Sequence, residues 1–236
     1  MKPTANGSVA ILLGFAIVGI AGTASSSAFY SQLRSRPSDP ELLESGDLIR
    51  YATLSRDDFQ AAKPPADVIG PDGRLGAAAC VMLTTGPDAH ILSGNRGIDL
   101  KAGQFWARVK NLWFVAYLDR GCSWWNPTSV SLPADYVLRH EQIHFALFEI
   151  AARQLNGRAE RLMKQFETRS TDQRWAVDEV RRLIDTELQK AMDEVRARTD
   201  DFDQETSRTY REHRQNWWWR SITEELERLP ATGLAR

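Results

Sequence analysis

Pro133-Ala134-Asp135-Tyr136-Val137-Leu138-Arg139-His140-Glu141-Gln142-Ile143-His144-Phe145-Ala146-Leu147-Phe148-Glu149-Ile150 is the stretch that decides how this chain reads. Proline followed by alanine and aspartate opens a helix, because proline supplies a helical φ where no N–H is needed and the acid meets the helix dipole. Two imidazoles four residues apart on that helix differ by about 40° in azimuth and about 6 Å in rise, so His140 and His144 can grip one ion. Glu141 projects beside the same ion, where a carboxylate can polarise water. Leu132, Val137, Leu138, Ile143, Leu147, Phe148 and Ile150 surround the motif, so the helix is expected to be largely buried. A surface helix with two satisfied histidines is the plainer alternative. Burial argues against it, since buried histidines and a glutamate need their desolvation offset, and a metal does that. The expectation is therefore zinc on His140 and His144, with Glu141 as general base.

Working outward, residues 134–229 are almost free of glycine and proline, and apolar residues recur there at helical spacing: Leu155, Ala159, Leu162, Phe166, Trp175, Val180, Leu183, Leu188, Met192 and Val195. Asp200 to Thr206 (DDFDQET) is read as a break before a last helix, Tyr210 to Leu229. The interleaved charges read as a solvated helix face. Ahead of the motif, Asp47–Leu54, Ala77–Thr85 and Phe105–Leu118 are short and rich in β-branched and aromatic residues, which predicts strands, the last of them a hairpin, and His90 to Leu92 is expected to start another. The fold class expected is α+β, a small antiparallel β-rich front half packed on a helical back half. Trp124-Trp125 and Trp217-Trp218-Trp219 are expected to cover the core between sheet and helices. His90, in a loop-like Gly-Pro-Asp-Ala-His stretch, is expected to be exposed and not a ligand.

The chain has 236 residues, a formal net charge of −1 and a pI near 6.4, so no global basic field points to nucleic acid. After Lys2 no charge appears until Arg34; Val9–Gly22 is apolar and Thr23–Ala28 small and polar. That reads as a secretory leader over residues 1–28, because an apolar run of about 14 residues falls short of the roughly 20 that span a bilayer. An uncleaved anchor is the alternative and would be the only membrane association. A linker over 29–46, one domain over 47–229 and a tail over 230–236 complete the organisation. An exported chain is periplasmic or extracellular, where Cys80 and Cys122 can pair and close a loop worth about 4 kcal/mol.

Several pieces resemble a bacterial domain-of-unknown-function family regarded as predicted secreted zinc-dependent proteases. They are Leu54-Ser55-Arg56-Asp57-Asp58-Phe59 with Pro64-Pro65, Ser123-Trp124, and Leu138 to Phe145 with Glu149 and Ala152-Arg153. The last are Phe202-Asp203-Gln204-Glu205-Thr206 with Gln215, Trp218 and Ile222. The resemblance implies an exported, zinc-bound, zincin-like single domain, and peptide hydrolysis as a prediction. The family's C-terminal piece is similar to Tyr-Asp-x-x-Thr-x-His, whose histidine is a natural third ligand; here that position is Arg208. Catalytic zinc sites use three protein ligands. Asp203 is expected to be the third, with Glu205 and His213 as alternatives.

The expected function is a zinc metallopeptidase acting on a peptide or protein, with Glu141 moving the proton between water and the leaving amine. Glu149 points away from the ion and is expected either to fix a ligand histidine or to pair with Arg153 at i+4. The alternative is a non-catalytic cell-envelope protein with a structural or vestigial metal site, used as an interaction module.

Overall fold

The computed structural model describes residues 10–12, 47–65, 76–95, 105–126, 132–207 and 210–231. Arg208, most of the expected leader, the linker and the end of the tail lie outside them. Antiparallel strands occupy the N-terminal half and four helices the C-terminal half, which is the α+β division expected.

The strands are β1 (Ala10–Leu12), β2 (Leu48–Arg50), β3 (Ala77–Ala78), β4 (Val81–Thr85), β5 (His90–Asn95), β6 (Phe105–Lys110), β7 (Phe114–Asp119), β8 (Trp124–Trp125) and β9 (Glu167–Ser170). They form three sheets, in the orders β1-β5-β6-β9, β2-β7-β4 and β3-β8. The expected hairpin within 105–118 is not there. β6 and β7 run on in the same direction and each pairs with a different strand, β6 with β5 and β7 with β4. Residues 81–95 and 105–119 are thus two arms of one long ribbon, broken where the chain bends between sheets. The bend is built by the turn at Gly86, whose N–H donates to the Trp113 carbonyl at 2.8 Å, and by Asn111, whose φ of 51° is left-handed. Gly86 has no substitute here: a Cβ would lie 1.9 Å from the Trp113 ring. Pairing across the bend passes from Thr85–Phe114 to His90–Lys110. His90 therefore begins a strand, as read from the sequence, but it is half-buried, its Nδ1 2.8 Å from the Asp88 carbonyl, a correction to the exposure expected. β1 falls inside the stretch read as a leader and pairs with β5, Leu12 opposite His90.

The helices are α1 (Ala134–Asn156), α2 (Ala159–Gln165), α3 (Gln173–Thr206) and α4 (Glu212–Arg228). α1 begins after Pro133 as read from the sequence. It packs on β7 and β4 on one side and on α3 and α4 on the other, which is why residues on every face of it are buried. α3 covers β5, β6 and β9, and is started by Asp172, whose carboxylate accepts from the N–H groups of Arg174 and Trp175.

Two expectations about the back half are corrected. Residues 200–206 do not interrupt a helix but complete α3. Asp200 and Asp201 look like breakers locally, yet they lie on the exposed face, while Val195, Thr199, Phe202 and Thr206 continue the buried stripe at helical spacing. The 34-residue helix is thereby long enough to carry its last turn over α1. Glu167–Ser170, inside the region read as helical, is instead strand β9 on the edge of β6.

The Cys80–Cys122 disulfide forms, with Cα atoms 5.7 Å apart. It fastens the start of β4 to the turn before β8, where the Cys80 N–H also donates to Ser123 Oγ at 3.0 Å. Trp125, Trp218 and Trp219 pack against the core as expected, whereas Trp217 is 46% exposed. No helix among the described residues is long and apolar enough to cross a membrane.

Candidate metal centre

α1 supplies His140 and His144 on neighbouring turns of one face, and the last turn of α3 supplies Asp203 across from them. Asp203 Oδ1 lies 3.1 Å from His140 Nε2 and 3.2 Å from His144 Nε2, and the two Nε2 atoms are 2.9 Å apart. Three lone-pair-bearing atoms in one small triangle repel one another unless a proton or a cation sits among them. All three side chains are buried, the two histidines with no exposed surface at all. Among the described residues, these three form a group able to hold a metal ion.

The donors fit zinc in type and in spacing. Two imidazoles and a carboxylate oxygen suit a borderline-soft divalent ion. A cation about 2.1 Å from tetrahedral donors spaces them about 3.4 Å apart. The observed triangle reaches that with an opening of a few tenths of an ångström.

The protonation states follow from burial and neighbours. Burial pushes His140 down to about 4, outweighing the Asp203 hydrogen bond that raises it, so this imidazole is neutral at pH 7, the ligating form. Burial acts downward on His144, but the Asp203 and Glu141 carboxylates together more than offset it and the net shift is upward. At Asp203 burial opposes ionisation, yet the His144 charge and the close contacts of both imidazoles draw the carboxyl down to about 2. The pocket without an ion thus balances charge with a proton on imidazole, and a dication would take over that role.

Glu141 is 2% exposed, and burial pushes its carboxyl up to about 7. Its Oε2 accepts the Ala79 N–H at 2.9 Å, while Oε1 is buried with no partner among the described residues. Ala79 lies between β3 and β4, next to the disulfide, so strand and helix are tied together at the motif glutamate. Gln142, inside the motif, clamps the other side of α1: its Oε1 accepts the Leu54 N–H at 2.6 Å and its Nε2 donates to the Ala52 carbonyl.

The alternatives to Asp203 are placed elsewhere. Glu205 is held by Arg214 and by the Trp218 indole N–H, which donates to Oε2 at 2.6 Å. His213 is exposed in the first turn of α4. Arg208 lies outside the described residues. Glu149 pairs with Arg153 at 2.8 Å, as the i+4 spacing suggested, and Arg153 also donates to the Leu226 and Leu229 carbonyls at the end of α4.

Sequence reasoning missed the Ala79 amide and the Phe202 ring, which lies 4.4 Å from His140 and 5.1 Å from His144 between centroids. A backbone donor leaves no trace in residue type. Phe202 had one, because its helical offset from Thr199 and Thr206 put it on the same buried face as Asp203. Fold and site together define a mixed α+β protein with a buried two-histidine, one-aspartate group able to hold a metal ion, beside a glutamate. No protein-family model, curated protein or solved structure matches the chain.

Proposed function

We propose that this chain is an exported zinc-dependent peptidase of the His-Glu-x-x-His kind, related to the secreted zinc-dependent protease-like family that its motifs resemble. The observation that carries the reading is the meeting of His140, His144 and Asp203, from helices about 60 residues apart in sequence, directly beside a glutamate with one anchored and one unengaged oxygen. Export is supported by the basic, apolar and small-residue order of the first 28 residues and by the disulfide, which belongs to oxidising compartments.

His140, His144 and Asp203 would hold the zinc, which when bound supplies Lewis-acid polarisation of water and of a carbonyl. Glu141 does the proton work. With Oε2 fixed by Ala79, Oε1 accepts a proton from the attacking water and gives it to the leaving amine, so one water is added across one peptide bond. A carboxyl held near neutrality by burial suits both halves of that transfer.

The burial of all four groups favours a second reading, a structural metal site in a non-catalytic envelope protein. Glu141→Gln separates the two. In a peptidase it removes casein or peptide cleavage by about 100-fold or more while one zinc per chain remains. In a structural site it changes neither metal content nor any activity, and equal cleavage by both proteins would sink the peptidase reading.

A further inference from the structure

We propose that Thr206 is a positioning residue that selects the metal-ligating tautomer of His140. The inference rests on the metal reading above and concerns which ring nitrogen of His140 carries the proton.

A neutral imidazole has one N–H, and only the nitrogen without it can bind a metal. At His140 the two nitrogens face different partners. Nε2 lies 3.1 Å from Asp203 Oδ1, a contact that by itself favours a proton on Nε2, the tautomer that blocks metal. Nδ1 lies 3.4 Å from Thr206 Oγ1, at the long end of hydrogen-bond distances. The direction of that contact is set by Thr206 itself. Its hydroxyl hydrogen is spent on the Phe202 carbonyl at 2.7 Å, so the oxygen faces His140 with lone pairs and accepts from Nδ1–H. Thr206 therefore opposes Asp203 in the tautomer balance and leaves Nε2 open.

The threonine is well held for this. It is fully buried, and its carbonyl accepts the Tyr136 hydroxyl at 2.8 Å, which ties the end of α3 to the start of α1. Asp203 and Thr206 are three residues apart and share one face of α3. A single helical turn thus brings both a ligand and the group that orients another ligand. His144 Nδ1, by contrast, is buried with no partner among the described residues, so this device acts on one histidine alone.

The test is zinc affinity, by competition with a chromophoric chelator, for wild type, Thr206→Val and Thr206→Ser. Valine keeps the branched shape and the backbone carbonyl but not the acceptor. Serine keeps the acceptor. The expected result is a loss of about 10- to 100-fold in Thr206→Val, the usual effect of removing a partner behind a ligand, with Thr206→Ser close to wild type. Nitrogen-15 spectra of the histidines in the metal-free proteins give a second readout that packing alone would not move. The His140 proton should sit on Nδ1 in wild type and shift toward Nε2 in Thr206→Val. Equal zinc affinity and the same tautomer in wild type and Thr206→Val overturn the inference while leaving the metal site intact. Failure of the wild type to bind zinc removes the metal reading itself, and this inference with it.

Discussion

Replacing Asp203 with asparagine should uncouple this protein's stability from zinc. Asparagine keeps the shape and the Oδ1 position of the carboxylate next to both imidazoles but removes the negative charge. A ligand that binds only the folded state stabilises it by about 4 kcal/mol when its free concentration is a thousand times Kd. The three candidate donors come together only when α1 and α3 pack, so the unfolded chain offers no such site. In a domain of this size each kcal/mol moves Tm by about 2–4 °C, so zinc at that excess should raise wild-type Tm by about 8–16 °C over the chelated protein. If the substitution weakens binding a thousandfold, the same zinc concentration contributes about 0.4 kcal/mol, less than about 2 °C. The assay is differential scanning calorimetry of both proteins with zinc and with chelator. Comparing the zinc-induced increments cancels any change that asparagine makes to the metal-free fold. A wild-type Tm indifferent to zinc, or an equal increment in both proteins, would refute the reasoning.

Other outcomes follow from contacts outside the three candidate ligands. Reducing Cys80–Cys122, or replacing both cysteines with alanine, should cost about 4 kcal/mol for a loop of this length, read as a lower midpoint in denaturant. Arg153→Ala leaves Glu149 buried without its arginine and strips a donor from two carbonyls ending α4. We expect a loss of about 3 kcal/mol, and a loss under about 1 kcal/mol would show that the contact is dispensable. Asp185 is raised above its ordinary 3.8 by burial, and its Oδ1 has no partner among the described residues. An acid with a raised folded pKa binds its proton more tightly when folded, so its penalty is full above that pKa and gone below 3.8. Asp185→Asn should therefore melt above wild type at neutral pH, with the gap closing as pH falls toward 3.8; a gap independent of pH would assign the effect to packing.

What was legible in the sequence follows the range of the forces involved. The motif helix was readable because Pro133, the apolar positions from Val137 to Ile150 and the His140–His144 spacing are all local and agree with one another. Asp203 was legible only through its place in a resembling segment, and the structure brings it to the two histidines because α3 stays helical through Asp200 and Asp201. That continuity was misread, since two adjacent aspartates carry a strong local signal while the buried stripe through Thr199, Phe202 and Thr206 appears only over two turns. The division of β6 and β7 between sheets was invisible for a different reason. It depends on Gly86 meeting the Trp113 carbonyl and on one left-handed residue, Asn111, contacts between chain segments about 25 residues apart. β9 was lost in the same way, its strand character coming from an edge that β6 offers.

The most direct test of the account is anomalous diffraction from crystals of the purified protein, recorded on both sides of the zinc absorption edge. One strong peak per chain is expected, about 2 Å from His140 Nε2, His144 Nε2 and Asp203 Oδ1 and present only above the edge. Density free of any such peak, in protein purified without chelator and supplied with zinc, would contradict it.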